Sequence, residues 1–289
     1  MDPSRLEALE EGPAFAELAG WRTVIVGGAD ARGWLHDLVT ADVEGILPGE
    51  ARRSLVLTPT GRIRADFHVI VRPEGFVLLQ PPGQPEEVDT ILGPYVLSSD
   101  VRIVDRTDES SLFVILGGIA AEDEAIGHVS KPSVMGPGVN LVADAEARER
   151  ARSRMAEVGR VEVSDQELDR WRIVLGIPRM GADFAVASLP SEAGLEGTID
   201  FGKGCFLGQE SVAKVRNLGH PPRILVPVGS DGPLQRGDTV LEDGVPVGEI
   251  TSATAVDGAL VGIARVRWGA GEAATLSTRA GPLRLRHPR

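Results

Sequence analysis

Gly202-Lys203-Gly204-Cys205-Phe206-Leu207-Gly208-Gln209-Glu210 is the stretch on which the reading of this chain turns. It holds the single cysteine of the 289 residues, set among three glycines, a lysine, an amide and a carboxylate. No buried strand would choose such a run. The residues from Leu195 to Phe201 read as an extended segment, and Gln209 to Asn217 has the polar spacing of a helix. Cys205 therefore falls on a glycine-rich turn entering a helix N-terminus, where unpaired backbone N–H groups and the positive dipole end favour an anion. Lys203 lies two residues away and is the expected partner for an anion or for the thiolate. This setting lowers a thiol pKa and exposes the sulfur. A free cysteine is more commonly a small buried hydrophobe. The flanking glycines argue for the exposed alternative.

Outward from this point the text organises into short elements. Trp21 to Gly28 alternates like a strand, and Asp30 then caps a helix from Ala31 to Thr40 with Trp34, Leu35, Leu38 and Val39 on one face. Arg53–Thr58 and Arg62–Val71 are strand-like runs joined by the turn Thr58-Pro59-Thr60-Gly61, which predicts a hairpin carrying Asp66. A further strand is expected at Phe76–Gln80, a helix from Pro85 to Val96, strands at Val101–Val104 and Leu112–Leu116, and a helix from Ile119 to Ile126. Gly127 to Asn140, rich in Pro and Gly, reads as a loop, and Ala145 to Val158 as a surface helix. Ser164-Asp165-Gln166-Glu167 is a capping box opening a helix that Gly176-Ile177-Pro178 stops. After the proline-stiffened junction Gly219-His220-Pro221-Pro222-Arg223, short strands alternate with Gly, Asp and Pro turns and no helical pattern survives. The fold class is α+β, with mixed, largely antiparallel sheets and helices over residues 1–223 and a small C-terminal β-barrel over 224–289.

Composition excludes several classes. A formal net charge of −12 argues against recognition of nucleic acid through a general basic surface. One cysteine rules out an intrachain disulfide framework and fits a reducing compartment. The first residues are acidic and lack the apolar core of a signal peptide, and no apolar run approaches a transmembrane length, so a cytoplasmic protein without a membrane partner is expected. The five histidines, His36, His68, His128, His220 and His287, show no metal spacing, so no resident metal is expected. Cys205 alone could donate only one ligand to a shared or transient cluster. A Cys–His pairing with His220 as base is conceivable, although sequence does not place the two together.

The run Lys-Gly-Cys-Phe-x-Gly-Gln-Glu resembles the signature of the YgfZ family, which is related to the folate-dependent T-protein (aminomethyltransferase) of the glycine cleavage system. Asp30 to Val43 is similar to the opening of the same domains, Leu189 to Leu195 resembles the Pro-x-Glu-Ala-Gly-Leu run before the central motif, and a C-terminal barrel is part of the pattern. The resemblance implies a central cavity for tetrahydrofolate or a derivative. It implies a role in assembling or repairing iron–sulfur proteins, with those client or assembly proteins as partners and Cys205 as the working group. It places Lys203, Gly204, Gln209 and Glu210 around the thiol, and Asp66 and Arg223 on the cavity wall. The alternative is a true folate-dependent aminomethyl or C1-group transferase; whether any turnover occurs stays open. Against the transferase stand two departures: Ala65 precedes Asp66 where T-proteins have paired aspartates, and Val174 stands where they hold the pterin with a glutamate.

Overall fold

The computed structural model describes residues 3–119, 125–256, 258–272 and 275–286. In chain order the elements are α1 (Pro3–Glu11), β1 (Ala14–Glu17), β2 (Arg22–Gly27), α2 (Ala31–Leu38), β3 (Ala51–Leu57), β4 (Ile63–Arg72), β5 (Gly75–Gln80) and α3 (Val88–Leu92). There follow β6 (Arg102–Asp105), β7 (Ser110–Ile115), β8 (His128–Ser130), β9 (Val139–Asp144), α4 (Arg148–Glu157), β10 (Val161–Glu162), α5 (Asp165–Leu175) and α6 (Gln209–Leu218). The chain ends with β11 (Arg223–Ser230), β12 (Thr239–Glu242), β13 (Val245–Val256), β14 (Ala259–Arg267), β15 (Leu276–Thr278) and β16 (Gly281–Leu285).

These strands form two five-stranded sheets, ordered β10-β1-β7-β9-β8 and β3-β4-β5-β2-β6, and a closed barrel β11-β14-β13-β12-β15-β16. Every pairing is antiparallel except that of β1 with β10. Alternation decides which side chains go inward. Ile70, Val77 and Leu79 of one sheet and Ala14, Ala16 and Val114 of the other meet in a shared core, which α5 joins through Leu168, Trp171 and Ile173 to Leu175. The opposite face of the β3–β6 sheet packs on α2 and α3 through Leu35, Val39, Ile91 and Leu92.

The barrel docks on α5 through a buried polar clamp. The Arg172 guanidinium donates to Asp183 at 2.7 Å and to Ser252 Oγ at 3.1 Å, and Asp183 also accepts from Thr251 and Ser252 at 2.7 and 2.6 Å. The capping box is present as expected: Ser164 Oγ accepts from Glu167 N–H, and Gly176 ends the helix at φ 74°.

Two expectations need correction, and the N-terminus adds an element the sequence did not suggest. Leu195 to Phe201 is not extended but contains a 3-10 turn at Glu196–Thr198, whose tight chain path brings Asp200 N–H to the Thr40 carbonyl. The Gly127–Asn140 stretch is not a plain loop; β8 and the start of β9 lie in it and pair with one another. The acidic N-terminus forms α1, docked by buried Leu6, Ala8 and Leu9. Most of the helix expected from Ile119 to Ile126 lies outside the described residues.

Candidate functional site

The signature turn is pinned on both sides of the thiol. Phe206 drops into a core of Leu55, Leu57, Ile63, Ile199 and Val212, while Leu207 packs on the α2 side and its N–H reaches the Asp37 carbonyl at 3.2 Å. Gly208 precedes α6 at φ 84°, and a Cβ there would stand 2.4 Å from the Thr58 carbonyl oxygen, so only glycine lets the β3–β4 turn approach. Ser211 Oγ donates to the Pro59 carbonyl at 3.0 Å and closes the same contact. Cys205 itself is exposed. The loop therefore buries its apolar residues on both sides and holds the sulfur out.

Lys203 reaches α2 rather than an anion at the turn. Its ammonium donates to the carbonyls of His36, Val39 (2.7 Å) and Ala41 (3.0 Å), at the C-terminal end of α2, where a cation complements the helix dipole. All three ammonium protons are taken up this way, which leaves none for an anion. Burial pushes the group down to about 8, against the pull of Asp42, Asp37, Asp200 and Glu44.

The other expected site residues are scattered. Gly204 is exposed, and a Cβ there would come within 3.9 Å of His36 Nε2. Gln209 is half-buried at the start of α6, with its N–H on the Phe206 carbonyl at 3.2 Å. Glu210 is a surface group paired with Lys214 at 2.8 Å, and that hydrogen bond holds its carboxyl below the usual range. Arg223 is exposed where the barrel begins, opposite Arg267. Asp66 is 1% exposed, and both its carboxylate oxygens are taken by Arg53, whose Nε and Nη2 lie at 2.8 and 2.6 Å.

Arg53, not Asp66, faces open space. It lines a cleft of about 650 Å³ with Ala41–Asp42, Ala51–Arg52, Pro132, the Gly197–Phe201 segment and Arg216. Phe201, at the edge of the cleft, directly precedes the signature turn, and Ala41, which lines the cleft, accepts from Lys203 of that turn. Arg216, in the last turn of α6, stacks on the Phe201 ring at 4.2 Å and has no carboxylate partner among the described residues. Sequence reading passed over Arg53, Arg216, Asp42 and Asp200. For Arg53 a signal exists: counted back from the Thr58–Gly61 turn, it falls diagonally across from Asp66 on the same sheet face. Nothing local signals Arg216. Among the described residues no three metal-ligating side chains cluster, and no helix is long and apolar enough to cross a membrane.

No protein-family model matches the chain. It is 25% identical over 279 residues to a putative chloroplastic transferase of Arabidopsis thaliana, matching 88% of this chain and 64% of that protein. It is thus similar to somewhat less than two thirds of that relative's length. It is 26% identical over 229 residues to the tRNA-modifying protein YgfZ of an Enterobacter strain (72% and 69% covered), and 24% identical over 282 residues to an aminomethyltransferase of Herpetosiphon aurantiacus (89% and 75%). The glycine cleavage system aminomethyltransferase T of Bartonella henselae superposes with a TM-score of 0.78 over 94% of this chain and 84% of its own, at 18% identity. The chain has the T-protein aminomethyltransferase fold. Within it, the chain is YgfZ-like.

Proposed function

We propose that the protein binds a reduced folate in the cleft beside the signature turn and assists assembly or repair of iron–sulfur proteins through Cys205. One observation carries this reading: the exposed thiol sits on a loop fixed to α2 and to the β3–β4 turn, and the segment that leads directly into that loop, Gly197–Phe201, lines the cleft. A volume of about 650 Å³ is in the range of small-molecule sites. The residues present fit a folate. Asp42 and Asp200 supply carboxylates to accept pterin N–H groups, and Arg216, without a carboxylate partner among the described residues, supplies a cation for the carboxylates of the glutamate tail. A bound folate would supply one-carbon chemistry; the chain's own contribution is to hold the ring and to present a thiol. In this reading Lys203 fixes the loop instead of touching the ligand.

The transferase alternative is disfavoured by packing, because Ala65 and Val174 are both buried in apolar clusters. Relatives carry the name tRNA-modifying protein, which makes tRNA-modifying enzymes the first clients to examine, in the cytoplasm of the host. The test is calorimetric titration of the full protein with tetrahydrofolate. Saturable binding is expected, weakened about tenfold or more in Arg216→Ala, the worth of one charge-assisted contact, and unchanged in Cys205→Ala. Loss of the gene should depress iron–sulfur enzyme activities, restored by the wild type and not by Cys205→Ala. No saturable binding, or full restoration by Cys205→Ala, refutes the reading.

A further inference from the structure

The Arg53 guanidinium is held from two sides. Its Nε and Nη2 donate to Asp66 Oδ1 and Oδ2 at 2.8 and 2.6 Å, and Nη2 donates again to the Pro178 carbonyl at 2.9 Å. A guanidinium has five N–H donors, and these bonds use the one on Nε and both on Nη2. The two on Nη1 have no partner among the described residues, and Nη1 is not enclosed. Arg53 lines the cleft of about 650 Å³, so its free donors open there. Asp66 comes from β4 and Pro178 from the segment after α5, so two separate elements fix the plane of the fork. Asp66 is itself held, because Gln84 bonds both its main-chain N–H and its carbonyl. A bidentate pair of this kind carries geometric specificity as well as energy. The carboxylate that the resemblance put on the cavity wall therefore acts through the arginine in front of it.

A second guanidinium, Arg216, lines the same cleft and has no carboxylate partner among the described residues. Asp42 and Asp200 line it too, so the cleft offers acceptors as well as donors. Two open guanidiniums call for two acceptor groups on one ligand. A phosphate ester would concentrate its charge on one group and set it against the Asp42 and Asp200 carboxylates. Two singly charged carboxylates, one on each arginine, spread that charge and match both forks. Resting on the reading of the cleft as a folate site, we infer that Arg53 and Arg216 clamp the two carboxylates of the ligand's glutamyl group, with Arg53 binding through its Nη1 donors and Asp66 as its positioning residue. The two arginines contribute differently. Asp66 already offsets the charge of Arg53, whose side chain is 18% exposed, so Arg53 supplies directed N–H groups. Arg216 is exposed and supplies net charge. A lysine in place of Arg53 would keep a cation beside Asp66 but lack the planar fork that serves the carboxylate and the ligand at once.

One experiment separates this clamp from the folate reading on which it rests. The full-length protein is titrated calorimetrically with tetrahydrofolate and with tetrahydropteroate, which has the same ring system and lacks the glutamyl group. The wild type, Arg53→Met/Asp66→Ala, Arg53→Lys and Arg216→Ala are compared, each checked for native circular dichroism. The wild type should prefer tetrahydrofolate by about a hundredfold, the product of two charge-assisted contacts of about tenfold each. Arg53→Met/Asp66→Ala, which removes the buried carboxylate together with its partner, should lower that preference about tenfold and leave tetrahydropteroate binding unchanged. Arg216→Ala should do the same. A general distortion of the cleft would instead weaken both ligands together. Arg53→Lys keeps a cation beside Asp66 and serves if the double variant misfolds; it too should lose about tenfold for tetrahydrofolate alone. Wild-type preference retained in the Arg53 variants, or equal weakening of both ligands, overturns the clamp and leaves the folate site standing. No saturable binding of tetrahydrofolate to the wild type overturns both.

Discussion

Asp66→Ala tests the assignment of Asp66 to structure rather than to ligand. The carboxylate is 1% exposed and the Arg53 side chain 18%, so the pair is shielded on one partner nearly completely and on the other largely. The substitution deletes two charge-assisted bonds, at 2.8 and 2.6 Å, and leaves the guanidinium with the Pro178 carbonyl at 2.9 Å. Removing one partner of a buried ion pair costs about 3–5 kcal/mol. Two features place this case at about 3 kcal/mol: Arg53 opens onto the cleft, where water can reach it, and Gln84 still bridges the main-chain N–H and carbonyl of residue 66. Urea unfolding followed by tryptophan fluorescence reads the loss as a lower midpoint at constant slope. The double variant Arg53→Met/Asp66→Ala should recover most of it, because the stranded charge is removed with its partner. A single-variant loss below about 1 kcal/mol, or a double variant whose loss is the sum of the singles, would refute the reasoning.

Gly208→Ala should cost about 2 kcal/mol or more, since it places a side chain at φ 84° and drives a Cβ to 2.4 Å from the Thr58 carbonyl; a shift of melting temperature within error would show that the turn yields instead. Val174→Glu should destabilise severely rather than improve folate binding, because residue 174 is 5% exposed in the core shared by both sheets, α5 and the barrel; a soluble, stable variant with tighter folate binding would count against that placement. His68 encloses an unpartnered Nδ1, and burial, helped by Arg53, pushes its pKa down to about 3 from 6.5. The unfolded chain therefore binds the proton first, so this group removes stability as pH falls from about 6.5 toward 3, and His68→Gln should flatten the urea midpoint over that range.

What could be read from the sequence is what local pattern dictates. The β3–β4 hairpin follows from alternation around Thr58–Gly61, α5 from its capping box, and the barrel from short strands at close spacing without a helical period. Strand β9 escaped because its partners β7 and β8 are identified by pairing and not by composition, and β8 is embedded in glycine and proline. The signature turn was legible as exposed and polar, while the destination of Lys203 was not. Its acceptors lie more than 160 residues earlier, and no periodicity connects them. Asp66 misled for a related reason: a lone carboxylate in a strand reads as wet or functional until the arginine diagonal to it is placed.

The same contrast bears on function. The resemblance to T-proteins implies carboxylates at the positions of Ala65 and Val174; here these residues are 0% and 5% exposed and packed among apolar side chains. Restoring a charge at either would require repacking a core, so the departure is built into the folding of the chain and not confined to two side chains. The signature turn is organised the opposite way. Phe206 and Leu207 are anchored in two different cores, Lys203 is committed to three carbonyls, Gly208 admits the neighbouring hairpin, and Cys205 is left outward between them. Rigid attachment on both sides of an exposed thiol limits the geometries it can present, which suits directed transfer or ligation more than indiscriminate reactivity. A chain with this distribution places its constraint on the thiol and its apolar packing where the transferase pattern has charge, and that is the physical ground for the proposal that Cys205, rather than folate activation, is the working group.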